Sequence, residues 1–183
     1  MCGNGVLQHP RKWEVQGMWR WLLMAALILP STSASRADEG AFLKTLGGNW
    51  AGTGTVRIRA HMSPMNISCN FSSKASDAAL SMEGVCRGML LISRSIDAKL
   101  RFTGSTYSGS YLGPRGGRAG LNGTRRGDAI NLTIRWAKEV NGDRSADLTL
   151  RKVGTNGMQL KTIDVDPASG KRIVTSEINL KRK

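Results

Sequence analysis

The sequence predicts an all-β fold, an antiparallel up-and-down β-barrel of about 8 to 10 short strands with a short N-terminal helical turn. Three observations carry that expectation. Apolar and polar residues alternate strictly through run after run, the period of a strand with one face buried. Tight-turn residues separate the runs, and no long helix interrupts them. Closing such a meander removes the exposed strand edges that would otherwise invite aggregation; a two-sheet sandwich is the alternative arrangement.

The chain opens on a leader. Arg11, Lys12 and Arg20 precede the apolar run Trp21-Leu22-Leu23-Met24-Ala25-Ala26-Leu27-Ile28-Leu29, and Pro30 ends it before the small, polar Ser31-Thr32-Ser33-Ala34-Ser35-Arg36-Ala37. That pattern reads as a secretory signal peptide over residues 1–37, cleaved after Ala37, with Ala34 the alternative site and Met18 a candidate start. The run is short of the roughly 20 residues a membrane helix needs, so no transmembrane span is expected in the mature chain, and a periplasmic or extracellular location is. The full chain carries a net charge of +14, which becomes +11 without residues 1–37. Such a field favours anionic partners, for example an envelope component. The charges are dispersed, with no aromatic stacking motif beside them, so nucleic acid is not an expected partner.

Residues 38–48 form the helix or arm and residues 49–183 a single barrel domain. Within the arm, Asp38 and Glu39 suit a helix start, Phe42, Leu43 and Leu46 share a side, and Gly47-Gly48 stop the turn. The first strand puts Trp50, Gly52, Gly54, Val56 and Ile58 on one face and runs to about Ala60, before Pro64. Met65, Ile67, Cys69 and Phe71 alternate next, then Leu80, Met82, Gly84 and Cys86. A hairpin turning at Ser76-Asp77-Ala78-Ala79 sets Cys69 opposite Cys86, Phe71 opposite Gly84 and Ser73 opposite Met82. Directly opposed Cβ atoms are about 4.5–5.5 Å apart, near disulfide reach, and an even pair in an exported chain reads as a structural bridge.

Met89-Leu90-Leu91-Ile92 and Ala98-Lys99-Leu100-Arg101-Phe102 are read as further strands. Tyr107 and Tyr111 lie near glycines and are placed beside an opening. Arg118 to Gly123 is a short strand, and Thr124-Arg125-Arg126-Gly127-Asp128 a turn in which the Arg-Gly-Asp tripeptide has no further meaning. Ile130, Leu132, Ile134 and Trp136 alternate toward Asn141-Gly142, whose tolerance of positive φ marks a type I′ hairpin, and Ala146, Leu148 and Leu150 alternate back. Met158, Leu160 and then Val174, Ser176, Ile178 and Leu180 supply the last two strands.

Gly48-Asn49-Trp50 after a helical turn resembles the Gly-x-Trp signature of lipocalins and related small ligand-binding barrels. The resemblance implies that Trp50 closes the barrel floor under a basic residue from near the last strand, Lys181 or Arg182. Leu46-Gly47-Gly48-Asn49-Trp50-Ala51-Gly52-Thr53-Gly54 is also similar to the opening of nitrobindin-type haem barrels, which ligate haem through a late histidine. Beyond the leader this chain has only His61, near the first strand, so no cofactor is expected. A third resemblance is to bacterial periplasmic metalloprotease inhibitors, where a free N-terminal segment enters the protease cleft; Asp38, Glu39 and Gly40 are the analogous positions.

Candidate chemistry is sparse. His61 has no nucleophile or carboxylate close in sequence. Asp164 and Asp166 have the spacing of a carboxylate pair, yet Pro167 and Ser169-Gly170 mark a solvated turn. No catalytic or metal-binding residues are assigned, and the chain is expected not to be an enzyme. Asn66, Asn70, Asn122 and Asn131 stand in glycosylation sequons, meaningful only in a eukaryotic secretory pathway. The expected function is binding a small apolar or amphipathic ligand outside the cytoplasm; the alternative is a protein-interaction module with a basic surface. The ligand-lining candidates are Trp50, Val56, Ile58, Phe71, Met82, Phe102, Tyr107, Tyr111, Leu132, Ile134, Trp136, Leu148, Met158 and Ile178.

Overall fold

The computed structural model of the chain describes residues 32–88, 92–113 and 117–183. The expected leader therefore lies outside the described residues up to Ser31, as do Met89, Leu90 and Leu91 of the strand read there. One helix, α1 (Thr32–Leu46), is followed by β1 (Gly48–Val56), β2 (Met65–Ala75), β3 (Ala79–Gly88), β4 (Ile92–Thr103), β5 (Thr106–Leu112), β6 (Arg118–Arg126), β7 (Ala129–Val140), β8 (Asp143–Val153), β9 (Gly157–Val165) and β10 (Arg172–Arg182). Each strand pairs antiparallel with its neighbours in sequence, and β1 pairs with β10, so the sheet is a closed ten-stranded meander.

Alternation fixes which residues face inward, and the registers agree with it. Cys69 pairs with Cys86, Phe71 with Gly84 and Ser73 with Met82, as the hairpin reading requires. The turn closes through Ser76 N–H donating to Ala79 O at 2.8 Å. The Cys69–Cys86 sulfurs are at bonding distance, a link worth about 3 kcal/mol for a loop of this length in the chain-entropy model. Asn141 and Gly142 both take positive φ, 56° and 90°, in the β7–β8 turn. The seam that closes the barrel depends on two inward glycines. A Cβ at Gly52 would lie 1.9 Å from Asn179 O and one at Gly54 2.1 Å from Glu177 O, so β10 crosses β1 where neither position can hold a side chain.

Several boundaries differ from the sequence reading. Helix α1 begins at Thr32 rather than Asp38; its buried face, Glu39, Gly40, Phe42, Leu43 and Leu46, has the three-and-four spacing of a helix laid on a core. Strand β1 ends at Val56, not near Ala60, because 57–64 leaves the sheet as a loop, and Ile58 is therefore 50% exposed. Ala98–Phe102 is part of one longer strand, β4, and Arg125 belongs to β6 instead of a turn. The four sequon asparagines are all exposed.

The core fills the half of the barrel nearest α1. Trp50, Leu43 and Leu46 are fully buried there, each side chain contributing about 1.5–3 kcal/mol through removal from water. Trp50 Nε1 donates to Leu46 O at 3.1 Å. Arg182 lies over the indole, 4.3 Å from ring centroid to guanidinium carbon, and donates to Thr45 O at 2.8 Å and to Gly47 O. The last carbonyls of α1, which have no partner within the helix, are thus taken by Trp50 and Arg182, and the cation faces the negative end of the helix dipole. Of the two basic residues expected over the Trp, Arg182 is the one in place.

Candidate functional site: a cavity at the open end

With one end plugged by α1, open space collects at the other, where β1, β3, β5, β7 and β9 finish. A cavity of about 310 Å³ opens there. Its apolar wall includes Val56, Ile67, Ile96, Tyr111, Trp136 and Ile178; its polar groups are Arg57, Arg94, Thr162, Asp164, Thr175 and Ser176.

Local irregularities in the sheet shape this wall. The β7–β8 pairing shifts between Arg135 and Val140, and Trp136 sits at the start of that stretch. Arg144 occupies the freed backbone, donating to Trp136 O at 3.3 Å and Ala137 O at 2.9 Å. The indole meets Tyr111 edge-on at 5.8 Å. In the adjacent β9–β10 hairpin, a second shift between Val174 and Ser176 brings in Thr175, whose hydroxyl donates to Asp164 Oδ2 at 2.6 Å. A buried carboxylate needs such donors, and Asp164 is only 4% exposed.

The loop 57–64 reaches from β1 across the rim to the β7–β8 hairpin. Arg57 N–H donates to Thr175 O at 2.7 Å, the Arg57 guanidinium to Met62 O, and Ala60 N–H to Asn141 Oδ1 at 3.2 Å. Ala60 is buried, while Ile58 and Met62 remain exposed.

The structure divides the sequence-derived ligand candidates by height along the barrel. Val56, Ile58, Tyr111, Trp136 and Ile178 line the cavity. Trp50, Phe71, Met82, Phe102, Tyr107, Leu132, Ile134 and Met158 belong to the packed core beneath, with Leu148 partly buried against it. Tyr107 does not flank an opening: it is fully buried at the closed end, packed on Phe102 at 5.2 Å. Its hydroxyl donates to Glu39 Oε1, and Arg125 Nε reaches the two oxygens of that carboxylate at 3.1 and 2.9 Å. Burial first, then the bond and charge of Glu39, push the Tyr107 hydroxyl far above the usual tyrosine range.

Ile67, Ile96 and Arg94 are wall residues absent from the candidate list. Each shares the inward parity of its strand, the one signal that would have found them. Asp164 also has the inward parity of Met158 and Leu160 on β9; Arg57 and Thr175 carried no such signal, since a strand end and a bulge place them. His61 is exposed on the loop, and Asp166 lies in the β9–β10 turn accepting the Ser169 hydroxyl at 2.6 Å, apart in role from Asp164. Among the described residues no cluster of three or more His, Cys, Asp or Glu gathers.

The barrel is similar to the one in the crystal structure of Rv2717c from M. tuberculosis, with a TM-score of 0.59 and 16% sequence identity, over 85% of this chain and 98% of that one. At that identity the likeness shows the fold alone. No protein-family model matches the chain, and no curated protein matches its sequence.

Proposed function

We propose that this is a lipocalin-like, non-enzymatic binding protein that works outside the cytoplasm and takes a small apolar or amphipathic molecule into the open end of its barrel. One observation carries the reading: the interior is side-chain-filled near α1, while about 310 Å³ of mostly apolar space is gathered at the mouth. Protein interiors pack with few voids larger than a water molecule, and this volume falls in the range of ligand pockets. The floor supports the lipocalin-like part, since Arg182 covers Trp50 as that resemblance implies.

Export rests on the leader pattern, and two structural features are compatible with it. From Arg36 on, the first buried residue of α1 is Glu39, so cleavage after Ala37 would leave Glu39, Gly40, Phe42, Leu43 and Leu46 in the mature chain. A disulfide such as Cys69–Cys86 persists in oxidising compartments. The protease-inhibitor alternative needs Asp38, Glu39 and Gly40 as a free arm; here Glu39 is 5% exposed and bound to Tyr107 and Arg125, bonds that would first have to be released.

Native mass spectrometry of the protein purified from its own host tests the proposal. The expected result is a chain beginning at Asp38 that carries a dissociable small-molecule mass. A bare protein that also fails to bind the neutral apolar fluorophore N-phenyl-1-naphthylamine would overturn the binding reading, and a chain retaining residues 1–37 would overturn export.

A further inference from the structure

Resting on that reading, we propose that the bound molecule is an amphipathic anion, its apolar part in the cavity and its anionic head at the rim against Arg94. Arg94 pairs with Cys86 across β3 and β4, so its side chain shares the inward face with Ile96, Ala98, Leu100 and Phe102. Arg94 stands at the open end of that face and is exposed to solvent, so its guanidinium is accessible at the rim of the cavity. Among the described residues Arg94 makes no ion pair, and its one hydrogen bond is a long one, 3.5 Å, to the carbonyl of its neighbour Ser93. Two other arginines around the interior are engaged, Arg125 with Asp38 and Glu39 and Arg182 with the end of α1; Arg57, also on the cavity wall, is turned to the loop carbonyl Met62 O.

Asp164, the one buried carboxylate of the cavity among the described residues, does not cancel Arg94. Their strands, β9 and β4, are five places apart in either direction around the ten-stranded ring, on opposite walls, and Asp164 accepts the Thr175 hydroxyl. The mouth is thus polarised, with a donor fork on the β4 side above an apolar well. Guanidinium is the side chain best shaped to hold a carboxylate or phosphate through paired donors. The well has room for about ten groups of water size, which fits a medium-length chain and not a long one.

Titration calorimetry with three ten-carbon probes separates the outcomes: decanoate, decanol and decyltrimethylammonium. Decanoate is expected to bind about tenfold more tightly than decanol, the worth of a hydrogen bond to a charged group, and the cationic probe most weakly. Arg94→Glu and the milder Arg94→Gln should remove the preference for decanoate over decanol. Arg151→Glu, an equal charge change on the outer face at the closed end, should preserve the preference. Equal binding of decanoate and decanol, or a preference that survives both Arg94 variants, overturns this inference and leaves the cavity reading standing. Failure of all three probes to bind overturns the cavity reading itself.

Discussion

At the closed end of the barrel, Trp50, Leu43, Leu46 and Tyr107 have no solvent exposure, and the polar groups among them are matched: indole to Leu46 O, Arg182 to Thr45 O, Tyr107 and Arg125 to Glu39. At the open end Ile58, Met62, Leu112 and Val165 are among the large apolar side chains left exposed, against Val153 alone at the closed end among the described residues. The rim loop 57–64 is tied to the strands beside it by two backbone N–H bonds, from Arg57 to Thr175 O and from Ala60 to Asn141 Oδ1. Both ends are made from the same alternating strands. What separates them is a helix that supplies apolar side chains and a buried carboxylate to one end only. Segments with few buried contacts open at low free-energy cost, so the closed half carries stability and the mouth is left able to admit a molecule.

The largest test of this contrast exchanges one tryptophan at each end. Trp50→Ala should cost about 3–5 kcal/mol, as for a fully buried aromatic, read as a fall in the urea unfolding midpoint. Trp136→Ala, half-buried in the cavity wall, should cost about 1–2 kcal/mol and instead change the affinity of a bound apolar probe. Equal losses from the two substitutions would break the comparison.

The next effect in size concerns the arginines. Arg182→Met should destabilise by about 2 kcal/mol, through lost bonds to helix carbonyls and the lost cation–π contact. Arg57→Met, which frees one rim carbonyl that water can reach, should cost less than about 1 kcal/mol. The same unfolding measurement separates them, and a rim arginine as costly as the floor arginine would show the mouth to be structurally essential.

The smallest effect is a pH dependence confined to the closed end. In the folded protein Tyr107 holds its proton beyond the usual tyrosine range, whereas in the unfolded chain it is lost near pH 10. Its contribution is therefore complete below about pH 10 and falls as pH rises above that value, because the unfolded state then releases a proton the folded state retains. Tyr107→Phe should cost about 1 kcal/mol at pH 8 and show a shallower loss between pH 8 and pH 11 than the parent chain. Parallel pH profiles for the two proteins would separate Tyr107 from that stability.

Much of this architecture was legible before any coordinates. Counting in twos from Cys69 and back from Cys86 gave the β2–β3 register, and Asn141-Gly142 gave the β7–β8 turn. The same counting could not tell Tyr107 from Tyr111, which share an inward face on β5 four residues apart, one buried beneath the core and the other beside the cavity. Nor could it find Glu39, whose partners Tyr107 and Arg125 stand 68 and 86 residues away.

By itself the chain of residues determined parity and order: which side chains turn inward, where the backbone reverses, and that neighbouring segments pair antiparallel. Those properties are local, set by the two-residue period of a strand and by the few residues that tolerate a tight turn. Tertiary structure alone decided height and closure: that β1 meets β10 across two glycines, that α1 plugs one mouth, and which inward residues face packed neighbours or open space. Height depends on what nine other strands and a helix bring to the same level, and no periodicity within one strand records that.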